Sequence, residues 1–280
     1  MTEKQYNDIQ PNKKLGQHFL TDRNIINKII DISGVSENDD ILEIGPGMGA
    51  LTIPLSGRVN SITAVEKDTR LFNYLQDRLK KEKIENVTLL NEDILKTDIE
   101  KIAGKSGNRL KVTGNLPYNI SSPLLDKLIR DRTFISRAFL MFQQEFAQRL
   151  AAVPGNKEYG AITVMVRYHC NVLRLMEVSR NVFYPRPKID STVLEIDMGR
   201  PYPLRAKNDK IFRLVVKGAF AQRRKTIKNS LRVISDQFNT EVIADALEKC
   251  GINPGRRAET LDIEEYISLS DELYRVGSKA

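Results

Sequence analysis

Apolar positions along this chain alternate between two periods. Ile25, Ile29 and Ile32 recur at helical spacing within 24–33. The run Asp40-Ile41-Leu42-Glu43-Ile44 is short and apolar and enters a glycine loop, so it predicts a buried strand. Ser61–Val65 predicts a second strand. Residues 69–83 predict a helix, because Leu71, Leu75 and Leu79 fall four apart on one face. Further strands are expected at 87–90, 110–113 and 138–142. Strands alternating with helices predict an α/β fold, a mostly parallel Rossmann-like sheet with helices on both faces. Two later strand-like runs, 171–178 and 191–197, flank a proline-punctuated loop, Phe183-Tyr184-Pro185-Arg186-Pro187-Lys188.

The pattern changes after residue 200. Met198-Gly199-Arg200-Pro201-Tyr202-Pro203 breaks regular structure and reads as a linker. Beyond it the apolar spacing is helical, with a break expected within 211–234 and a turn at Asn253-Pro254-Gly255. Asp262 and Glu265 have capping-box spacing ahead of Tyr266, Ile267 and Leu269. Two domains are therefore expected: 1–200, with an irregular arm over 1–22, and a small all-helical domain over 201–280.

Composition narrows the function classes. The chain has 280 residues, 41% hydrophobic and 29% charged, ordinary for a globular protein. Its 44 basic and 36 acidic side chains leave a net charge of +8, which suggests a polyanionic partner. Cys170 and Cys250 form no CxxC pair, and reduced thiols are the simple reading. His18 and His169 are the only histidines, which excludes a His-rich metal site and most catalysis that needs a His base. No metal is expected. The first ten residues are polar and carry no apolar core of a secretory signal, and no apolar run could span a bilayer. A cytoplasmic monomer is the expectation.

The candidate chemistry lies at strand ends. Gly45-Pro46-Gly47-Met48-Gly49 follows the first sheet strand, where glycines allow close ligand approach and a helix start offers free N–H groups. The spacing is GxGxG, not the GxGxxG of dinucleotide sites. Glu66 ends the second strand, about twenty residues on, where an acid can accept ribose hydroxyls. Asp93, after the third, could accept an adenine amino proton, with the Ile94 N–H nearby. Acids at the carboxyl ends of successive strands sit where open α/β sheets bind ligands. They also read as surface acids at loop starts.

Asn115-Leu116-Pro117-Tyr118 ends the fourth strand. An Asn carbonyl and a backbone carbonyl before a proline make a site for a planar amine. Adenine N6 is a poor nucleophile because its lone pair is delocalised into the ring. Two carbonyl acceptors on its N–H groups would pull the nitrogen toward a tetrahedral shape. Pro117 biases Leu116 toward an extended backbone, and Tyr118 can stack on a purine. Asn and Pro are also common turn residues. An adenosine ligand beside such an amine site points to S-adenosylmethionine and methyl transfer to adenine N6, since a nicotinamide enzyme would not need Asn-Leu-Pro-Tyr there.

With these residues in order, the chain resembles the bacterial small-subunit (16S) ribosomal RNA adenine N6,N6-dimethyltransferases, the KsgA/RsmA type. The resemblance runs from Leu15-Gly16-Gln17-His18-Phe19-Leu20 to Arg257-Ala258-Glu259-Thr260-Leu261. It includes the glycine loop through Thr52, Gly114 to Ser121, Phe183 to Ser191 and Phe220 to Thr226. It implies an S-adenosylmethionine-dependent methyltransferase fold and cofactor contacts at His18, Leu20, Gly45, Glu66, Asp93 and Asn115, beside which the residues themselves offer Gly47 of the glycine loop and the Ile94 N–H. His18 and Leu20 are then a lid, whereas the residues alone leave His18 a surface histidine. It implies dimethylation of two adjacent adenines near the 3′ end of 16S rRNA, in the small subunit or its precursor. Catalytic roles are implied for Asn115, Leu116, Pro117, Tyr118 and Phe183. Phe183 would stack on a flipped adenine, although its bland role is a core anchor.

RNA contacts are expected from Arg186 and Lys188 and from Arg223, Arg224, Lys225 and Lys228. On a continuous helix Arg224, Lys228 and Arg232 would share one face, which suits phosphates or simply solvent. Two other readings stay open. One is the large-subunit adenine methyltransferase of the macrolide-resistance type, which the 220–226 and 257–261 stretches fit less well. The other is a methyltransferase-like assembly or transcription factor, which the intact Gly45, Glu66, Asp93 and Asn115 oppose.

Overall fold

The structure is a computed structural model that describes residues 10–12, 16–116 and 120–277. Its strands are β1 (Phe19–Leu20), β2 (Asp40–Ile44), β3 (Ser61–Val65), β4 (Val87–Leu90), β5 (Leu110–Asn115), β6 (Ile135–Gln143), β7 (Asn171–Val178), β8 (Phe183–Tyr184) and β9 (Ser191–Asp197). Seven form one sheet in the order β4-β3-β2-β5-β6-β9-β7, and β1 pairs with β8 separately. β2 runs parallel to β3 and β5, β3 to β4, and β5 to β6, while β9 is antiparallel to β6. The expected Rossmann-like sheet is present.

Helices supply the crossovers that parallel strands require. Helix Thr69–Lys81 buries Leu71, Leu75 and Leu79. Asp68 caps it by accepting the Arg70 N–H, and Arg78, Lys80 and Lys81 complement its carboxyl end. β2 is buried at every position, as a strand covered on both faces must be.

The chain divides into two compact units. The first comprises the described residues of Met1–Ala147 with Val172–Gly199, the second those of Gln148–Asn171 with Arg200–Ala280. The boundary near 200 thus marks one passage between the units, but 148–171 belongs with the helical unit rather than with the first. Burial explains this: Tyr159, Val164 and Tyr168 share an apolar cluster with Phe212, Val216 and Leu269. The Tyr168 ring stacks on Phe212 at 4.1 Å, and its hydroxyl donates to Asp209 at 2.9 Å.

Within the second unit the capping box at Asp262 is reciprocal. The Asp262 N–H donates to Glu265 Oε2 at 2.9 Å, and the Glu265 N–H to Asp262 Oδ1 at 2.8 Å. The break within 211–234 falls between helices Asp209–Ala219 and Ile227–Ser230. Gln222 to Thr226 offers no apolar residue to bury, so the helix does not continue. Arg224 therefore lies in a turn, Lys228 in the short helix and Arg232 in a 3-10 turn, Leu231–Ile234. They do not form a row on one continuous helix. The expected irregular arm is likewise ordered at 19–20, where Phe19 pairs with Tyr184 and Leu20 with Phe183. Among the described residues no helix is long and apolar enough to cross a membrane.

Strand order reverses between β2 and β5, which is where open α/β sheets bind ligands. There the two strands approach closely. A Cβ on Gly114 would lie 2.6 Å from the Ile44 carbonyl oxygen. Gly114→Ala is expected to push β5 from β2 and cost about 1–3 kcal/mol in urea unfolding. A midpoint equal to wild type would show that the strands yield freely.

Candidate active site at the carboxyl edge of the sheet

The register brings the ends of the parallel strands level. Ile44 pairs with Val65 and Val65 with Leu90, so the loops that follow emerge along one edge. One cavity lies there. Its walls include Gly45, Gly47, Glu66, Asp93, Ile94, Asn115 and Leu116, with His18 and Leu20 from the β1 segment. The structure thus brings together every residue expected on the ligand side. Pro117 and Tyr118 lie outside the described residues.

The glycine loop is shaped by left-handed backbone. Gly45 has φ +65° and Gly47 φ +57°, conformations that L side chains rarely adopt. Nothing lies within 4 Å of where a Cβ on Gly45 would sit, so a ligand can approach the bare backbone. Glu66 is anchored from both sides. Its Oε2 accepts the Gly47 N–H at 3.1 Å, and its Oε1 the Asp68 N–H at 2.8 Å. Burial pushes the Glu66 carboxyl up, and these N–H groups pull it only part of the way back. Asp93 has the opposite balance. Lys67 Nζ sits 2.8 Å from its Oδ2, and this bond holds the Asp93 carboxyl below its ordinary value. Each acid keeps lone pairs for further donors.

Asn115, the last residue of β5, is held through its amide nitrogen. Nδ2 donates to the His18 carbonyl at 2.7 Å. The reverse orientation would set two oxygens against each other, so Oδ1 is the end left for another partner.

Two features escaped the residue-level reading. The first is the segment 16–20 as a wall. Gln17 Nε2 donates to Asp68 at 2.9 Å, Phe19 packs with Met48 and Leu71, and Leu20 packs in a cluster with Phe183 and Met141. The Gly-Gln-His-Phe-Leu motif was its only signal. The second is Glu43, 1% exposed inside β2 and also lining the cavity. Among the described residues its Oε2 has no hydrogen-bond partner. Burial raises its carboxyl to about 7; neighbouring Thr52 opposes the shift, and the Glu66 charge adds a smaller push upward.

Other expected residues do not reach this cavity. Phe183 is 5% exposed and packs among core side chains, so its ring is a core anchor here. Arg186 and Lys188 are exposed on the first unit. Arg224, Lys225 and Lys228 are exposed on the second, and Arg223 donates to the Lys157 carbonyl at 2.5 Å. No group of three His, Cys, Asp or Glu side chains among the described residues could hold a metal.

Residues 9–275 match the family described as Ribosomal RNA adenine dimethylase. The chain belongs to that family. A ribosomal RNA small subunit methyltransferase A from Desulforapulum autotrophicum is 44% identical over 94% of this chain and 92% of its own. A dimethyladenosine transferase from Plasmodium falciparum superposes with a TM-score of 0.76 at 27% identity, covering 90% of this chain and 95% of that one. The 23S rRNA methyltransferase ErmE follows at 0.67 and 25% identity, covering 91% and 99%. The family is one of methyltransferases.

Glu43 generates a pH prediction. Its folded-state carboxyl titrates near 7, above its ordinary 4.5, so folding favours the protonated form. The stability it contributes is present at low pH and is lost as pH rises from about 4.5 to about 7. Glu43→Gln should therefore gain on wild type across that window, by on the order of 1–3 kcal/mol, and hold a constant lead above it. Urea midpoints between pH 5 and 8 measure this. Parallel curves would mean that the carboxyl is not perturbed.

Proposed function

We propose that this chain transfers methyl groups from S-adenosylmethionine to N6 of two adjacent adenines near the 3′ end of 16S rRNA, during maturation of the small ribosomal subunit. The observation that carries this reading is the meeting of an adenosine-type cavity with the oriented amide of Asn115 at one sheet edge. Family membership and the names of the small-subunit relatives support it. The reading includes a cytoplasmic monomer as the working form.

The cavity residues fit the cofactor. Glu66 is placed to accept ribose hydroxyls, and Asp93 with Ile94 to hold the adenine edge. Gly45 and Gly47 would allow close approach, and the segment that carries His18 and Leu20 would cover the ligand. The unpartnered Oε2 of Glu43 offers an acceptor to a donor group, such as an ammonium. When bound, S-adenosylmethionine supplies a methyl group on a sulfonium sulfur, an electrophile that needs no further activation.

The chain's own task is to make N6 a nucleophile. Asn115 Oδ1 and the Leu116 carbonyl accept its two hydrogens and aim the lone pair outward. These bonds strengthen as the nitrogen becomes tetrahedral, so they favour the transition state over the bound substrate. The methylated, cationic N6 is strongly acidic and gives its proton to water, so no buried base is required. Tyr118 is the proposed stacking ring. Phe183 could form the opposite face only if its ring is uncovered.

The second unit supplies affinity in this reading. Exposed Arg224, Lys225 and Lys228, with Arg223, suit RNA phosphates, and so do Arg186 and Lys188 on the first unit. The large-subunit reading has one observation in its favour, the likeness to ErmE. The experiment that separates them incubates the protein and labelled cofactor with immature small subunits or with large subunits, then maps the methylated adenines. Label confined to large subunits would overturn the reading.

Two mutational outcomes follow from these roles. Asn115→Ala should slow single-turnover methylation about a hundredfold, by analogy with the loss of one transition-state hydrogen bond, with RNA affinity nearly intact. A rate within a few-fold of wild type would sink the amine-polarising mechanism. Replacing Arg223, Arg224 and Lys228 together with Ala should weaken RNA binding and flatten its salt dependence, while S-adenosylhomocysteine binding is unchanged. An unaltered salt slope would mean that these side chains merely face solvent.

A further inference from the structure

His18 joins two parts of the site whose relative placement the proposed chemistry needs. Its backbone carbonyl accepts Asn115 Nδ2–H at 2.7 Å. Its ring Nδ1 lies 2.6 Å from the Pro185 carbonyl. A carbonyl oxygen can only accept, so Nδ1 carries the hydrogen and the ring donates. Beside it, the Thr21 N–H and hydroxyl both donate to the Val182 carbonyl at 2.9 Å, and Leu20 pairs with Phe183. One residue therefore grips the catalytic amide with its main chain and the 183–188 loop with its side chain. That loop carries Arg186 and Lys188.

We propose that His18 is a positioning residue for methyl transfer, holding the Asn115 amide and the Pro185 loop in one fixed relation. The inference rests on the functional reading above, because it assigns Asn115 to the amine and the loop to the target strand. Its physical basis is geometric. A donor lost at Nδ1 frees the Pro185 carbonyl from the His18 ring, so that the Thr21 bonds to Val182 and the two-residue β1–β8 pairing must carry more of the load. The His18 main chain can then shift, and the face that Asn115 Oδ1 presents shifts with it. A displacement of about 1 Å at a reacting centre can cost a hundredfold in rate. Such a loss appears in the chemical step rather than in the affinity for either ligand.

A near-isosteric pair isolates the donor. His18→Asn keeps an N–H near the position of Nδ1, and His18→Leu has almost the same shape as that Asn without it. Single-turnover methylation of unmodified small subunits is measured at saturating S-adenosylmethionine. S-adenosylhomocysteine affinity is measured by calorimetry, and RNA affinity separately. The Leu variant should be slowed about ten- to a hundredfold, with both affinities changed much less. The Asn variant should recover to within about threefold of wild type. A Leu variant as fast as the Asn variant would overturn the proposal, and so would a loss in the Leu variant matched by its loss of cofactor affinity. Wild type that methylates no adenine would overturn the functional reading and this inference with it. A methylating wild type beside an equally active Leu variant overturns the inference alone.

Discussion

Everything at the site depends on the pairing of β2 with β5. Sheet order reverses at that seam, so loops leaving the two strands diverge and open a cleft between them. The glycine loop leaves from β2, and Asn115 ends β5. Gly114 lets the seam close, because any side chain there would meet the Ile44 carbonyl. A wider seam would carry Asn115 away from the glycine loop. The spacing between the glycine loop and Asn115 is thus fixed by a backbone contact, set in the interior of the sheet where neighbouring strands over-determine it.

The same edge gathers three acids in different electrostatic states. Asp93 pairs with Lys67 and is held toward its charged form. Glu66 is buried but accepts two backbone N–H groups, which offset part of its desolvation. Glu43 is buried with an oxygen unpartnered among the described residues, and burial dominates. Such a gradient suits a ligand with hydroxyls at one end and a cation at the other. A cation beside Glu43 would restore its charge, so ligand binding and Glu43 deprotonation should favour one another.

What the residues revealed before the structure follows from what is local. Strands at 61–65, 87–90, 171–178 and 191–197 were legible to the residue, because short β-prone runs between turn signals leave few alternatives. Glu66 and Asp93 were legible as acids just past strand ends. The Asp262–Glu265 cap was legible because both partners lie within one turn. What failed is non-local. Nothing near His18 states that its ring meets Pro185, or that Leu20 pairs with Phe183, because those contacts join distant stretches of chain. Phe183, between Val182 and Tyr184 and just ahead of two prolines, reads equally as a stacking ring or a core anchor until that pairing buries it. Residues 148–171 carry no mark of the unit they join. The basic row failed for a different reason. Spacing of four is a helical signal only where an apolar face holds the helix, and 222–226 has none.

On the proposed reading, choice of target cannot reside in the amine site itself. Adenine N6 is the same group in small- and large-subunit RNA, and carbonyl acceptors read only its two hydrogens. The fold shared with the 23S rRNA methyltransferase ErmE is consistent with that limit. Discrimination must come from how the surrounding RNA is held. Phosphate contacts fix register without reading bases, so they select a shape rather than a sequence. Arg223, Arg224 and Lys225 lie in a turn rather than along a helix. Target choice by the second unit and chemistry by the first would then be separable, with methyl transfer generic and delivery of the adenine specific.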